Sequence, residues 1–246
     1  MNNNLKVGDI WDKKWEKLDV LDFKAIAFKS DPWTMHHKPL IEKYINEVSR
    51  NGVFLEAGCG MGHWCFYISE KYGMKSLGVD IAKDTIEKLQ KNQGGLVSFT
   101  IDDLNNSKLE NNSIDMFISL GVVEHFKDSN PMVKNLNQLL KPGGVGIITV
   151  PNIYSIHTIT RPILQFFNKW DIGYEKSFSP GKLKILAKSN GFNIVEYGTL
   201  PSGELFGCFL NNLPIIGEII RKISLFIEKK QNIFGFISYI VVKKND

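Results

Sequence analysis

Between residues 53 and 150 short apolar runs alternate with amphipathic segments. The runs fall at 53–57, 75–79, 97–101, 114–119 and 145–150. Runs of that length separated by helical or helix-bearing stretches are the pattern of βα units, so a parallel sheet covered on both faces is predicted. Lys141-Pro142-Gly143-Gly144 predicts a turn that stops a helix over 131–140 and launches the fifth strand. Upstream, Leu40, Ile41, Tyr44, Ile45 and Val48 recur at helical spacing and predict a helix over 39–48 against the sheet. Beyond 150 the pattern predicts a loop, a helix near 180–190, a strand near 192–200, an apolar stretch and a last strand within 233–243. Residues 1–35 carry Trp11, Trp15, Phe23, Phe28 and Trp33 and are expected to cap a site. Residues 36–246 are expected to form one domain with a helical insertion at about 205–232.

Composition narrows the class without changing that picture. With 43% hydrophobic and 23% charged residues in 246, the chain is an ordinary globular one, long enough for a full core and too short for two complete domains. The net charge of +4 is spread along the chain without a basic stripe, which argues against a nucleic-acid partner. Three cysteines, Cys59, Cys65 and Cys208, have no C-x-x-C spacing, so neither a disulfide framework nor a zinc knuckle is expected. With no export signal read at the N-terminus, a cytoplasmic location is expected. The apolar stretch 205–226 is interrupted by Asn211, Asn212, Pro214, Glu218, Arg221 and Lys222, which excludes a membrane span. Within it, 213–230 predicts a helix with Ile216, Ile219, Ile220, Ile223, Phe226 and Ile227 on one face. That face has three readings: it covers the domain's own sheet, it joins a homodimer, or it makes peripheral contact at the inner face of the membrane.

The candidate chemistry begins at Val53-Phe54-Leu55-Glu56-Ala57-Gly58-Cys59-Gly60-Met61-Gly62, a predicted strand running into a glycine turn at the head of a helix. Glycines there let the backbone turn with positive φ and let a ligand approach the chain closely. Asp80 ends the next strand about 20 residues on, where a carboxylate can accept both hydroxyls of a ribose. A dinucleotide turn reads G-x-G-x-x-G, but position 63 is histidine and the third glycine comes early, at Gly62. Glu56, two residues before the first glycine, would repel a pyrophosphate and attract an ammonium group. The cofactor expected from these residues carries an amine and a ribose but no diphosphate.

These segments resemble the successive motifs of the class I S-adenosylmethionine (SAM) dependent methyltransferases. Glu56, Ala57, Gly58, Cys59, Gly60 and Gly62 resemble the family's E/D-x-G-x-G-x-G motif, which wraps the methionine part of SAM. Asp80, followed by Ile81, resembles its ribose-binding acid. Asp103 and Leu104 resemble the pair that meets adenine, with Asp102 as an alternative register. Asn112-Ser113-Ile114-Asp115 resembles the entry to the family's fourth strand. The segment 119–126 resembles the one after that strand, in which the residue matching Leu120 lines the cofactor pocket. Leu139-Leu140-Lys141-Pro142-Gly143-Gly144 resembles the L-L-x-P-G-G turn. The resemblance implies a Rossmann-like α/β/α sandwich of three layers, its seven strands mostly parallel with an antiparallel last strand. It also implies SAM as cofactor and S-adenosylhomocysteine as product.

For the acceptor the resemblance implies a small molecule or glycan, methylated at oxygen. An alcohol or phenol benefits from a general base, and His125, after the fourth strand, competes for that role with His157. An equal reading is that Glu124 and His125 cap a helix or line the pocket. A quinone-pathway branch of the family carries E-x-x-E-H here and is associated with a metal; Gly121 stands where its first glutamate would, so no metal is expected. Asn152, Tyr154 and Trp170 lie where the family's acceptor pocket forms, with lid packing the other reading for Tyr154 and Trp170. The rival functions are an NAD(P)-dependent oxidoreductase and a non-catalytic SAM-binding partner protein.

Overall fold

The computed structural model describes residues 3–155, 157–201, 216–231 and 233–245. Seven strands, β1 (Val53–Ala57), β2 (Lys75–Asp80), β3 (Val97–Ile101), β4 (Ile114–Leu120), β5 (Leu140–Pro151), β6 (Phe192–Leu200) and β7 (Ile237–Lys244), form one sheet in the order β3-β2-β1-β4-β5-β7-β6. β1 pairs in parallel with both β2 and β4, and β4 with β5. β7 runs antiparallel between β5 and β6. The architecture is the Rossmann-like α/β sandwich with an antiparallel last strand.

Alternate residues of the central strands feed two cores, as the pleat requires. Phe54, Met116, Ile118 and Ile147 face one layer, built by α3 (Pro32–Ile45), α4 (His63–Tyr72) and α5 (Lys83–Gln90) through Ile41, Ile45, Trp64, Ile68 and Ile86. Leu55, Phe117, Ile148 and Ile240 face the other, built by α6 (Asn130–Leu139) and α8 (Pro180–Ser189) through Met132, Leu136 and Leu183. Gly78 leaves room for the Phe99 ring, since a Cβ there would stand 2.5 Å from the ring edge. Strand order reverses between β1 and β4, and in open sheets the crevice at the carboxyl ends of the strands flanking such a point is where ligands bind.

Several elements differ from the sequence expectation. The helix before β1 begins at Pro32, seven residues early, because Asp31 caps it by accepting from Thr34 N–H at 2.8 Å and Pro32 is preset for a first helical turn. The Lys141–Gly144 turn is absorbed into β5 as an irregularity, with register jumping from Ile114↔Leu140 to Met116↔Val145. β7 starts at Ile237 rather than 233. The first 35 residues contain two helices, α1 (Asn3–Trp15) and α2 (Val20–Ser30), and the expected loop after β5 holds a helix, α7 (His157–Phe166). Of the 205–232 insertion, α9 (Ile216–Gln231) is described and 205–215 lies outside the described residues. Among the described residues no helix is long and apolar enough to cross a membrane.

Candidate active site

The carboxyl ends of β1, β2 and β4 open into a cavity of about 510 Å³, within the usual range of small-molecule sites. Its floor is the glycine turn. Gly58 and Gly60 have φ of +81° and +46°, and Gly58 and Cys59 donate their N–H groups to Val79 O at 2.8 and 2.9 Å. A Cβ on Gly60 would meet the Trp15 ring at 3.1 Å, so glycine is what lets α1 come down over the turn. Gly62, with φ +65°, precedes α4 and leaves room for Phe99.

Asp80 forms the wall beside the turn. Its Oδ2 accepts from Gly60 N–H and its Oδ1 from Ala82 N–H, both at 2.9 Å, and burial pushes its carboxyl above the usual range. Ile81, Asp102, Asp103, Leu104 and Leu120 complete this end. Asp102 is held from behind, accepting from Ser107 Oγ–H at 2.6 Å and from Lys108 N–H. Asp103 accepts from Asn105 N–H at 3.0 Å in a tight turn.

The opposite end is aromatic, with Trp11, His125, Phe126 and Tyr174. His125 Nδ1 lies 2.8 Å from the Tyr174 carbonyl. A carbonyl only accepts, so Nδ1 carries the proton and Nε2 keeps its lone pair. Burial lowers the His125 pKa from 6.5, which favours the neutral ring at pH 7. Trp11 meets that ring edge-on, with centroids 5.1 Å apart. Beside it Glu124 is buried, its Oε2 has no hydrogen-bond partner, and burial pushes its pKa upward.

Other expected site residues sit elsewhere. Glu56 lies behind the turn, its Oε2 accepting from Cys65 N–H at 3.1 Å, and burial pushes its pKa to about 8. Ala57 and Cys59 are buried and Gly62 is turned towards Phe99, so none of the three lines the cavity. Asn152, expected at the acceptor, is fully buried and its Nδ2 donates to the carbonyls of Ile233 and Gly235 at 2.6 and 2.8 Å: it ties the approach to β7 to the end of β5. Tyr154 is 55% exposed and outside the cavity. Trp170 donates its indole N–H to Gly173 O at 2.7 Å and also lies off the wall. His157 opens α7, and its side chain lies outside the described residues. Sequence reasoning did not single out Val7, Tyr174, Phe126, Lys127 and Asp128 as site residues, since no local spacing signals a residue that reaches the cavity from another layer.

Residues 55–148, which carry the turn, Asp80 and Leu120, match the methyltransferase-domain family. That segment belongs to it. Outside it β6 and β7 complete the same sheet. Over 204 residues, 78% of this chain and 78% of the relative, the chain is 26% identical to the ubiquinone biosynthesis O-methyltransferase of Rickettsia typhi. Over 107 residues, 42% of this chain, it is 28% identical to the phosphoethanolamine N-methyltransferase of Plasmodium falciparum. The chain spans 40% of that relative and 20% of the similar Zea mays enzyme. Among solved structures, Haemonchus contortus phosphoethanolamine N-methyltransferase 2 in complex with S-adenosyl-L-methionine superposes with a TM-score of 0.67 at 17% identity, covering 98% of this chain and 60% of that one. A SAM-dependent methyltransferase from Archaeoglobus fulgidus gives 0.59 at 21% identity, covering 92% and 100%. At those identities the likeness is one of fold.

Proposed function

We propose that the chain transfers a methyl group from SAM to a hydroxyl oxygen of a small-molecule or glycan acceptor. The cavity fits the cofactor: it has a glycine turn that admits close approach, a carboxylate at the end of β2 for a ribose, and Asp103 with Leu104 beyond it for adenine. When bound, SAM supplies a methyl group already activated on a sulfonium. The protein's own share is alignment of the acceptor and removal of one proton.

One observation carries the oxygen assignment. The Tyr174 carbonyl fixes the His125 tautomer so that Nε2 is the free acceptor nitrogen, in a ring kept neutral by burial at the aromatic end of the cavity. A neutral imidazole so placed suits proton removal from an alcohol or phenol. A curated relative matched across 78% of the chain is also an O-methyltransferase. Sequence similarity to the phosphoethanolamine N-methyltransferases spans about two fifths of the chain, and the likeness to one of them over 98% of the chain is one of fold. Among the described residues Cys59 and Cys65 are unbridged, which agrees with a reducing compartment, and we place the protein in the cytoplasm.

The test is formation of S-adenosylhomocysteine from SAM with pooled hydroxylated and amine acceptors, followed by the pH profile of kcat/KM on the acceptor found. Because the His125 pKa is lowered from 6.5, activity should rise through an acid limb below that value and be level at pH 7. His125→Gln should lose roughly 10²–10⁴-fold in turnover and lose that limb. Turnover only with amines, with a limb set by the amine and unchanged in His125→Gln, would overturn the oxygen assignment.

A further inference from the structure

Two helices expose large apolar side chains to solvent and turn some of their polar ones towards the protein, unlike an ordinary surface helix. On α7, Ile159, Ile163 and Phe166 are exposed, Phe166 by 81%, as is Phe167 just beyond it, whereas Arg161 turns inward onto Glu175 at 3.1 Å and Ser177 at 3.3 Å. On α9, Ser224 and Glu228 are buried while Ile219, Ile223 and Phe226 are exposed, Phe226 by 67%. The segments flanking the two helices are tied at one place in the fold. Asn152, five residues before α7, holds the carbonyl of Ile233, two residues after α9, and Ile233 and Phe234 are themselves exposed.

We propose that α7, α9 and the 233–234 link dock the protein on an anionic membrane surface, with the isoleucine and phenylalanine side chains at the acyl boundary and the basic residues at the headgroups. Charge identifies the occupant. Residues 157–170 and 216–231 contain six basic side chains, Arg161, Lys169, Arg221, Lys222, Lys229 and Lys230, against two acidic ones, Glu218 and Glu228. Arg161 is paired inward with Glu175 and Glu228 is buried, so the described charges that face solvent on these helices and the turn after α7 are Lys169, Arg221 and Lys222 against Glu218. An apolar surface with that positive excess matches a negatively charged bilayer; a second copy would bring the same positive charge against it. The docked surface also adjoins the cavity. Arg161 pairs with Glu175, the neighbour of Tyr174, whose carbonyl holds His125, so a membrane-dissolved acceptor would meet the cavity wall where the protein meets the lipid. Docking itself is independent of which acceptor is methylated.

The experiment is sedimentation of the full chain with vesicles of phosphatidylcholine alone and of phosphatidylcholine with a quarter phosphatidylglycerol, at low and high salt, beside analytical ultracentrifugation without lipid. Binding to the anionic vesicles is expected, weakened by salt and absent from the neutral ones. The pair Phe166→Asp with Phe226→Asp should lower it roughly ten-fold or more while the thermal transition stays in place, since both side chains are exposed. Ile163→Ser with Phe167→Ser, a milder pair, should act in the same direction and serves if the first fails to fold. No sedimentation, equal binding to neutral vesicles, or binding untouched by a folded variant pair would overturn the proposal. So would a dimer in solution that the same substitutions dissolve without any vesicle binding, which would assign the face to a second copy.

Discussion

Glu56 and Asp80 are both buried carboxylates beside one glycine turn, and their partners separate their roles. Asp80 spends one oxygen on Gly60 N–H and the other on Ala82 N–H while lining the cavity. It therefore organises the turn as well as offering a carboxylate to a ligand. Asp80→Asn should weaken SAM binding by about 1.5–3 kcal/mol, read by calorimetry, because a charge-assisted bond is lost. Glu56 keeps a proton that most glutamates release, with a folded pKa of about 8 against an ordinary 4.5. A raised acid pKa means that its stability contribution is complete below pH 4.5 and is lost as pH rises through 8. His37 and His63, both lowered by burial to about 4, act oppositely: their contribution is complete above 6.5 and is lost as pH falls through 4. Between pH 6.5 and 8 the ligand-free protein should therefore lose stability, with Glu56 contributing up to about 1.4 kcal/mol per pH unit, and Glu56→Gln should flatten the decline. Urea melts at pH 6.5, 7.25 and 8 measure it, and equal slopes in the two proteins would remove Glu56 as the source. The presence of both acids was legible from their places around the glycines. That Glu56 points to Cys65 N–H, behind the turn, was not, because its orientation depends on how α4 settles against β1.

The element that most shapes the cavity is α1, and side-chain pairs more than 70 residues apart hold it there. The N-cap of α5 is Ala82, which has no side chain to cap with; Asp12 of α1 does it instead, accepting from Thr85 N–H and Oγ1–H, both at 2.8 Å, and from Asp84 N–H at 3.2 Å. Lys88 Nζ adds a bond to Glu16 O at 2.9 Å. This latch sets Trp11 and Trp15 over the glycine turn. Asp12→Ala should cost about 0.5–2 kcal/mol, the usual worth of a helix cap, and speed amide exchange across both α1 and the start of α5. It should also weaken SAM binding, because the wall it anchors loosens. Faster exchange in α5 alone would mean that α1 is held by its aromatic contacts and not by the latch. The aromatic side chains Trp11, Trp15, Phe23, Phe28 and Trp33 led to the expectation of a cap over a site, and of these Trp11 and Trp15 line the cavity. No local pattern marks Asp12 as the partner of a helix that starts at residue 83, and for the same reason Asn152 read as an acceptor contact when its partners are carbonyls about 80 residues away.

Across the whole molecule, the parts that could be read from the chain are those whose signal is local: βα alternation, glycine turns, and acids at strand ends. β1 to β4 and β6 fall where the apolar runs predict them, since each buried strand announces itself by composition alone. What lies beyond β5 could be read only in part. α7 went unread because its apolar residues do not serve the core, and a pattern method assumes that apolar faces turn inward. The aromatic end of the cavity likewise comes from α1, the segment after β4 and the stretch before α8, three places brought together only by the finished sheet. The central claim is that this cavity binds SAM and serves methyl transfer. Calorimetric titration of SAM, S-adenosylhomocysteine and NADH into the protein, with folded Asp80→Asn alongside, tests it most directly. SAM and S-adenosylhomocysteine should bind one to one, and markedly more weakly to the variant, with no heat from NADH. Binding of NADH alone, or of none of the three, would contradict the account.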